Sequence, residues 1–300
     1  MRHFLARGLL IIAWSSGVPA FAADMSMPTK APPIVPPQIF SWSGFYVGAN
    51  AGYDWARTNN VTTGSPGVFD PGPGFTSGGL TSAGLATSFP SLPSKPSGFI
   101  GGVQAGYNWQ LNSLVLGVEA DFQGANVKQT VSGSTAFTPA NLAFLPFGTT
   151  GSVSNSLDYF GTVRGRLGGA FDRFMVYGTG GLAYGGTRST VSSFDSTLAP
   201  SLGITTTSIA SVASSNVRAG WTIGGGAEYA LTSNWSIKGE YLFYDLGTTN
   251  IPTNVAYTET LPGGTGIGST YASAIRNTAI HWTGSIARAG INYRFPLLAQ

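Results

Sequence analysis

The sequence has no cysteine, which excludes disulfides, thiolate metal sites and a catalytic thiol. Charge is also scarce. Asp, Glu, Lys and Arg make up 9% of 300 residues, against about a quarter in an ordinary soluble domain. A surface solvated on all sides is therefore not expected. Of the two histidines, His3 lies in the leader described below, so only His281 remains and a multi-histidine metal site is excluded. No basic cluster exists, and without Arg2 and Arg7 the count is 13 basic against 12 acidic residues. That balance offers nucleic acid no electrostatic footprint. Beyond the leader there is no uncharged apolar run of about 20 residues, the length a membrane helix needs. Any crossing must use strands.

Residues 1–22 have the pattern of a secretory signal. Arg2 and Arg7 form the positive end, Gly8–Trp14 is a short apolar core, and Ala20-Phe21-Ala22 is a small-x-small cleavage site. Export leads to an oxidising compartment, where a cysteine-free chain depends on packing and hydrogen bonds. Residues 23–41 contain Pro28, Pro32, Pro33, Pro36 and Pro37. Repeated proline favours extended polyproline geometry and prevents ladder pairing, so this is a periplasmic tether. The remaining expected units are a barrel over 42–295 and an extension over 296–300.

From Trp42 onward, segments alternate apolar and polar residues with period two, as strands do. Eight are expected: Ser43–Asp54, Gly98–Gln110, Leu114–Val127, Ser156–Ala170, Phe174–Arg188, Asn216–Leu231, Trp235–Gly247 and Ala279–Phe295. In the last, Phe295, Tyr293, Ile291, Ala289 and Ala287 share one face, opposite Arg294, Asn292, Gly290 and Arg288. The greasy face suits lipid and the polar face a lumen. Connections after the second, fourth and sixth segments are about three residues long, as hairpin turns are. The others run to roughly 25–45 residues of Ser, Thr, Gly and Pro, uncommon in a compact soluble domain. Strict short–long alternation predicts an all-β, eight-stranded, antiparallel up-and-down transmembrane β-barrel with long extracellular loops and periplasmic termini. Aromatics near the segment ends predict an interfacial girdle of Trp42, Phe45, Tyr107, Trp109, Tyr229 and Trp235.

The polar faces carry the candidate site. Glu119, Asp121, Asp158, Glu228 and Glu240 are expected inside, against Arg164, Arg166, Arg218, Lys238, Arg288 and Arg294. Buried charge is costly unless paired, and an eight-stranded barrel is just wide enough for its side chains. These residues are therefore read as a luminal ion-pair network, not as an acid–base pair. Gly178-Thr179-Gly180-Gly181 and Gly224-Gly225-Gly226 lack the Lys-Ser/Thr of a phosphate loop and lie within strand patterns, where glycine relieves crowding. His281, Thr283 and Asp245 leave a lipid-facing hydrolase as a minor alternative, and a small-solute pore as the other. No catalytic, cofactor or metal residue is assigned.

Trp42–Tyr53 (WSGFYVGANAGY) resembles the opening strand of the Omp25/Omp31-type outer-membrane proteins of alphaproteobacteria. So do Gly102–Trp109 (GVQAGYNW), Tyr177–Tyr184 (YGTGGLAY), Gly220–Leu231 (GWTIGGGAEYAL) and Lys238–Leu246 (KGEYLFYDL). The resemblance implies a small surface-exposed barrel in the outer membrane of a Gram-negative bacterium. It also implies immunogenicity, association with lipopolysaccharide and envelope integrity, and labels such as porin-like. It implies an assembly signal read by the barrel-assembly machinery, here Tyr293 and Phe295, although Pro296–Gln300 follow. A monomer is expected.

Overall fold

The computed structural model describes residues 40–65, 92–137, 147–199, 204–260 and 270–295. The expected signal peptide, all but the last two tether residues, and the extension 296–300 lie outside the described residues. Eight strands form the fold: β1 Gly44–Ser65, β2 Ser97–Leu111, β3 Leu114–Phe137, β4 Phe147–Phe171, β5 Phe174–Ala199, β6 Ile204–Ala230, β7 Trp235–Thr260 and β8 Thr270–Arg294. Each pairs antiparallel with the next, and β1 closes the ring against β8, from Tyr46↔Arg294 to Ser65↔Ile275.

The pairing register measures the tilt. A row from Val47 through Ala105, Ala120, Val163, Leu182, Trp221, Asp245 and Thr283 returns to β1 at Arg57, ten residues beyond its start. That stagger is the geometric consequence of inclined strands closing a ring. Two hairpins turn on Asn112 and Asp172 with φ of 57° and 54°. Asn and Asp tolerate this left-handed backbone.

The faces divide as period two dictates. Phe45, Val47, Val103, Leu116, Val118, Val163, Val176 and Ile237 point outward and are exposed, while Asn50, Gln104, Glu119, Thr162 and Lys238 are buried inside. Near the hairpin-turn end, Phe45 meets Phe295 at 5.6 Å, Tyr107 meets Trp109 at 4.6 Å and Trp235 meets Tyr293 at 5.1 Å between ring centroids. A second aromatic level, which the sequence reading missed, contains Trp55, Phe99, Phe122, Tyr159, Tyr184, Trp221 and Phe243. Phe122–Tyr159 and Trp221–Phe243 are in ring contact at 5.8 and 5.5 Å.

Three expectations change. The strands continue far past their expected ends, so most of the presumed β3–β4, β5–β6 and β7–β8 loops is sheet. Only residues 138–146, 200–203 and 261–269 separate those strands. These outer halves are Ser/Thr-rich on both faces, and threonine suits strands, but no apolar–polar alternation reveals them. Second, Asp158 points outward. β4 bulges between Leu157 and Tyr159, which inverts the facing below residue 158 and buries Leu157 at 1% exposure. Third, Trp42 is 0% exposed and belongs to no girdle.

β6 and β7 are unpaired between Thr207 and Trp221 on the β6 side. Throughout that stretch β6 keeps its full ladder to β5.

Candidate functional site

The interior is stratified. At the hairpin-turn end, Trp42, Val115, Ala170, Met175, Tyr177 and Ala230 form one apolar cluster, with Phe40 against it. The Trp42 indole donates to the Asp172 carbonyl at 3.1 Å, and its backbone N–H donates to Gln110 Oε1 at 2.6 Å. Arg294 donates to the Ser41 carbonyl and stacks on Phe40 and Trp42, its guanidinium carbon 4.6 and 4.8 Å from their ring centres. Arg294 was expected among the ion pairs. Instead it holds the segment before β1 across the mouth of the barrel, and no direct ion pair involves it among the described residues.

Above this cluster, four carboxylates and four cations converge from β3, β4, β6, β7 and β8. Arg164 contacts Glu119, Asp121 at 3.2 Å and Glu240 at 2.8 Å. Arg166 bridges Glu228 at 2.9 Å and Glu119 at 3.3 Å. Lys238 reaches Glu119 at 2.8 Å, and Arg288 reaches Asp121 at 2.8 Å and Glu240 at 2.6 Å. Every side chain in these pairs is 3% exposed or less. The formal charges balance, four against four, as removing them from water requires.

Neutral groups complete the layer. Tyr46 donates to Glu119 at 2.7 Å, and Thr162 donates to Asp121 through its N–H and its hydroxyl at 3.1 and 2.8 Å. Asn292 donates to Glu228 at 2.8 Å and accepts from Gln104 at 2.6 Å, which in turn accepts from Asn50 at 2.8 Å. Tyr177 packs against the Arg166 guanidinium at 3.9 Å. Tyr46, on the polar face of its strand, was readable as inward. Tyr177, Thr162 and Asn292 became partners only once the register was known.

Beyond the ionic layer, Leu157, Phe160, Leu242, Tyr244, Leu246, Ile280, Trp282 and Ile286 fill the interior in a second apolar cluster. Phe160 and Tyr244 are in ring contact at 4.9 Å, and Tyr244 donates to Asp54 at 2.8 Å. The glycines make room for these rings. A Cβ on Gly284 would lie 2.4 Å from the Tyr244 ring, and one on Gly106 would lie 2.4 Å from the Tyr46 hydroxyl.

Two further expected members lie apart. Asp158 is exposed and accepts from Ser156 at 3.2 Å. Arg218 is half-buried and donates to the Leu246 carbonyl at 2.9 Å where the β6–β7 ladder resumes. His281 and Asp245 do meet, at 3.1 Å on the outer wall, with the His281 side chain 45% exposed. Thr283 donates instead to the Arg57 carbonyl, so the three side chains are not linked as nucleophile, base and orienting acid. Among the described residues no group of His, Asp and Glu has the arrangement of a metal site.

The model of the outer membrane protein beta-barrel domain family matches residues 25–261. The 31 kDa outer-membrane immunogenic protein of Brucella melitensis is 40% identical over 81% of this chain and 88% of its own length. The 25 kDa outer-membrane immunogenic protein of Brucella abortus is 26% identical over 77% of this chain and 79% of its own. Among solved structures, Neisserial surface protein A covers 84% of this chain and 98% of its own at 15% identity. Its TM-score is 0.30, which adds nothing to the fold read from the strand pairing. With its closed antiparallel ring and lipid-suited outer face, the chain belongs to the outer-membrane β-barrel protein family and is an outer-membrane protein of the Gram-negative kind.

Proposed function

We propose that this protein is a structural and surface element of the outer membrane whose lumen is closed to solutes. One observation carries the reading: a charge-balanced, solvent-excluded ionic layer lies between two apolar clusters, the Trp42–Met175–Tyr177 group and the Phe160–Tyr244–Trp282 group. Ions or small solutes would have to displace all three in turn. The relatives named as immunogenic proteins support a surface-exposed part, and the outer half of the long strands offers one. The network then has an architectural role. It fixes β3, β4, β6, β7 and β8 to one another from inside the ring. Outer-membrane lipid surrounds the wall, the assembly machinery reads Tyr293 and Phe295, and the protein acts as a monomer.

The test is conductance of the refolded protein in a planar bilayer, with heat-modifiable gel migration confirming the barrel. Silence from folded protein is the expected result. Stable steps whose ion selectivity changes in Arg164→Ala or Glu119→Gln would overturn the closed-lumen reading and make the protein a small channel.

A further inference from the structure

The outer wall carries cations that no part of the interior uses. Beyond the upper aromatic level, Arg57, Lys128 and Arg188 point outward from β1, β3 and β5, each flanked along its strand by a buried residue such as Ala56, Val127 or Thr187. Lys95, just before β2, is exposed beside them. Among the described residues none of these four makes an ion pair. Arg218 and His281 are at a similar level but are committed to Leu246 and Asp245. The hairpin-turn end differs: its outward charges, among the described residues, are Asp172 and Arg173 in a single turn.

The strongest part of this belt is a row across three neighbouring strands, Lys128↔Ser156↔Arg188. Strand spacing of about 4.8 Å places the two cationic residues' backbones roughly 10 Å apart. Their side chains can close on one anion between them, above the Ser156 hydroxyl. Asp158 is the acidic group nearby. It is two residues closer to the membrane and bonded to Ser156, and it pairs with neither cation.

The height of the row identifies the anion. Lys128 is six residues beyond Phe122 on β3, Arg188 four beyond Tyr184 on β5 and Arg57 two beyond Trp55 on β1, and outward aromatics of this kind mark the interface between hydrocarbon and headgroups. Cations just beyond that level meet the phosphates of lipid headgroups, to which Lys and Arg donate charge-assisted hydrogen bonds. We propose that Lys128 and Arg188, on either side of Ser156 and extended around the wall by Arg57 and Lys95, form a binding site for the phosphate of an outer-leaflet lipid. This rests on the barrel being membrane-embedded, not on its lumen being closed.

The experiment titrates diphosphorylated lipid A into the refolded full chain in a neutral detergent and reads bound lipid by native mass spectrometry. The expected outcome is that K128Q/R188Q weakens binding by about tenfold or more, while R173Q at the opposite end leaves it unchanged. Fully dephosphorylated lipid A should bind the wild type as weakly as phosphorylated lipid binds the double variant. Equal binding by wild type and double variant, or by lipid with and without phosphate, overturns the proposal. Displacement of the lipid by millimolar inorganic phosphate makes the site one for free phosphate and overturns the lipid assignment. Heat-modifiable migration of each variant separates loss of this site from loss of the barrel.

Discussion

Arg164 is the residue whose loss should be felt most. Its guanidinium is shared by Glu119, Asp121 and Glu240, and its Nε donates to Thr162. Breaking a buried pair by deleting one partner leaves charge uncompensated and costs about 3–5 kcal/mol. Arg164→Ala should lower unfolding stability by about that amount, followed by tryptophan fluorescence in urea with the protein in lipid vesicles. Adding Glu240→Gln restores the charge balance, so the double variant should be less destabilised than the two single losses predict together. Strict additivity would show that the pair is not coupled. The charges of β3, β7 and β8 were legible in the sequence because their alternation runs unbroken from Leu114 and Trp235 and back from Phe295. Trp42 and Arg294 were misread for a different reason. An aromatic at a strand start and an arginine near a strand end carry no sign of the chain crossing back over the mouth to bring them together.

At the scale of the element, the informative departures are the bulge and the outer halves of the strands. Period two tells which residues share a face only while the register advances one for one. In β4 the register slips at Asp158, so alternation read upward from Thr162 places Asp158 inside and Leu157 outside, and both are reversed. Removing the extra residue tests this directly. Deleting Asp158 restores strict alternation with Tyr159 outside and Leu157 still inside beside Phe160, so the heat-modified gel shift should occur at the wild-type temperature. A clearly lower transition would mean that β4 alternates without a bulge there and that the deletion has inverted its outer half. The outer halves were illegible because a strand standing above a membrane with polar residues on both faces lacks the alternation that betrays one. Among the described side chains of 148–156 and 189–194, Val153 and Val191 are the only buried apolar ones. If these segments are ladder and not loop, their amides are paired and should exchange slowly. Hydrogen exchange of the refolded protein should protect residues 149–155 and 189–193 far beyond the connecting segments. Exchange within seconds there would return them to the loops that the sequence suggested.

For the whole molecule, strand length against membrane thickness decides what the cell surface meets. Seven of the eight strands have 22 to 27 residues, whereas about 9–11 suffice to cross. At about 3.3 Å per residue and a tilt near 40°, strands of this length rise roughly 55–70 Å. The outward apolar band needs only about 25 Å. The short turns follow directly on the aromatics of the hairpin-turn end, so the surplus projects on one side alone. After allowance for the headgroup layer, roughly 30 Å of barrel wall should stand clear of the membrane. The phosphate site proposed at Lys128 and Arg188 would lie at the foot of that wall, where lipid could brace it. Atomic force microscopy of the protein in a supported bilayer should therefore find rigid protrusions of about 30 Å on one face and almost none on the other. Protrusions below about 10 Å would mean that the outer strands do not stand upright, and the surface the cell presents would then be made of loops.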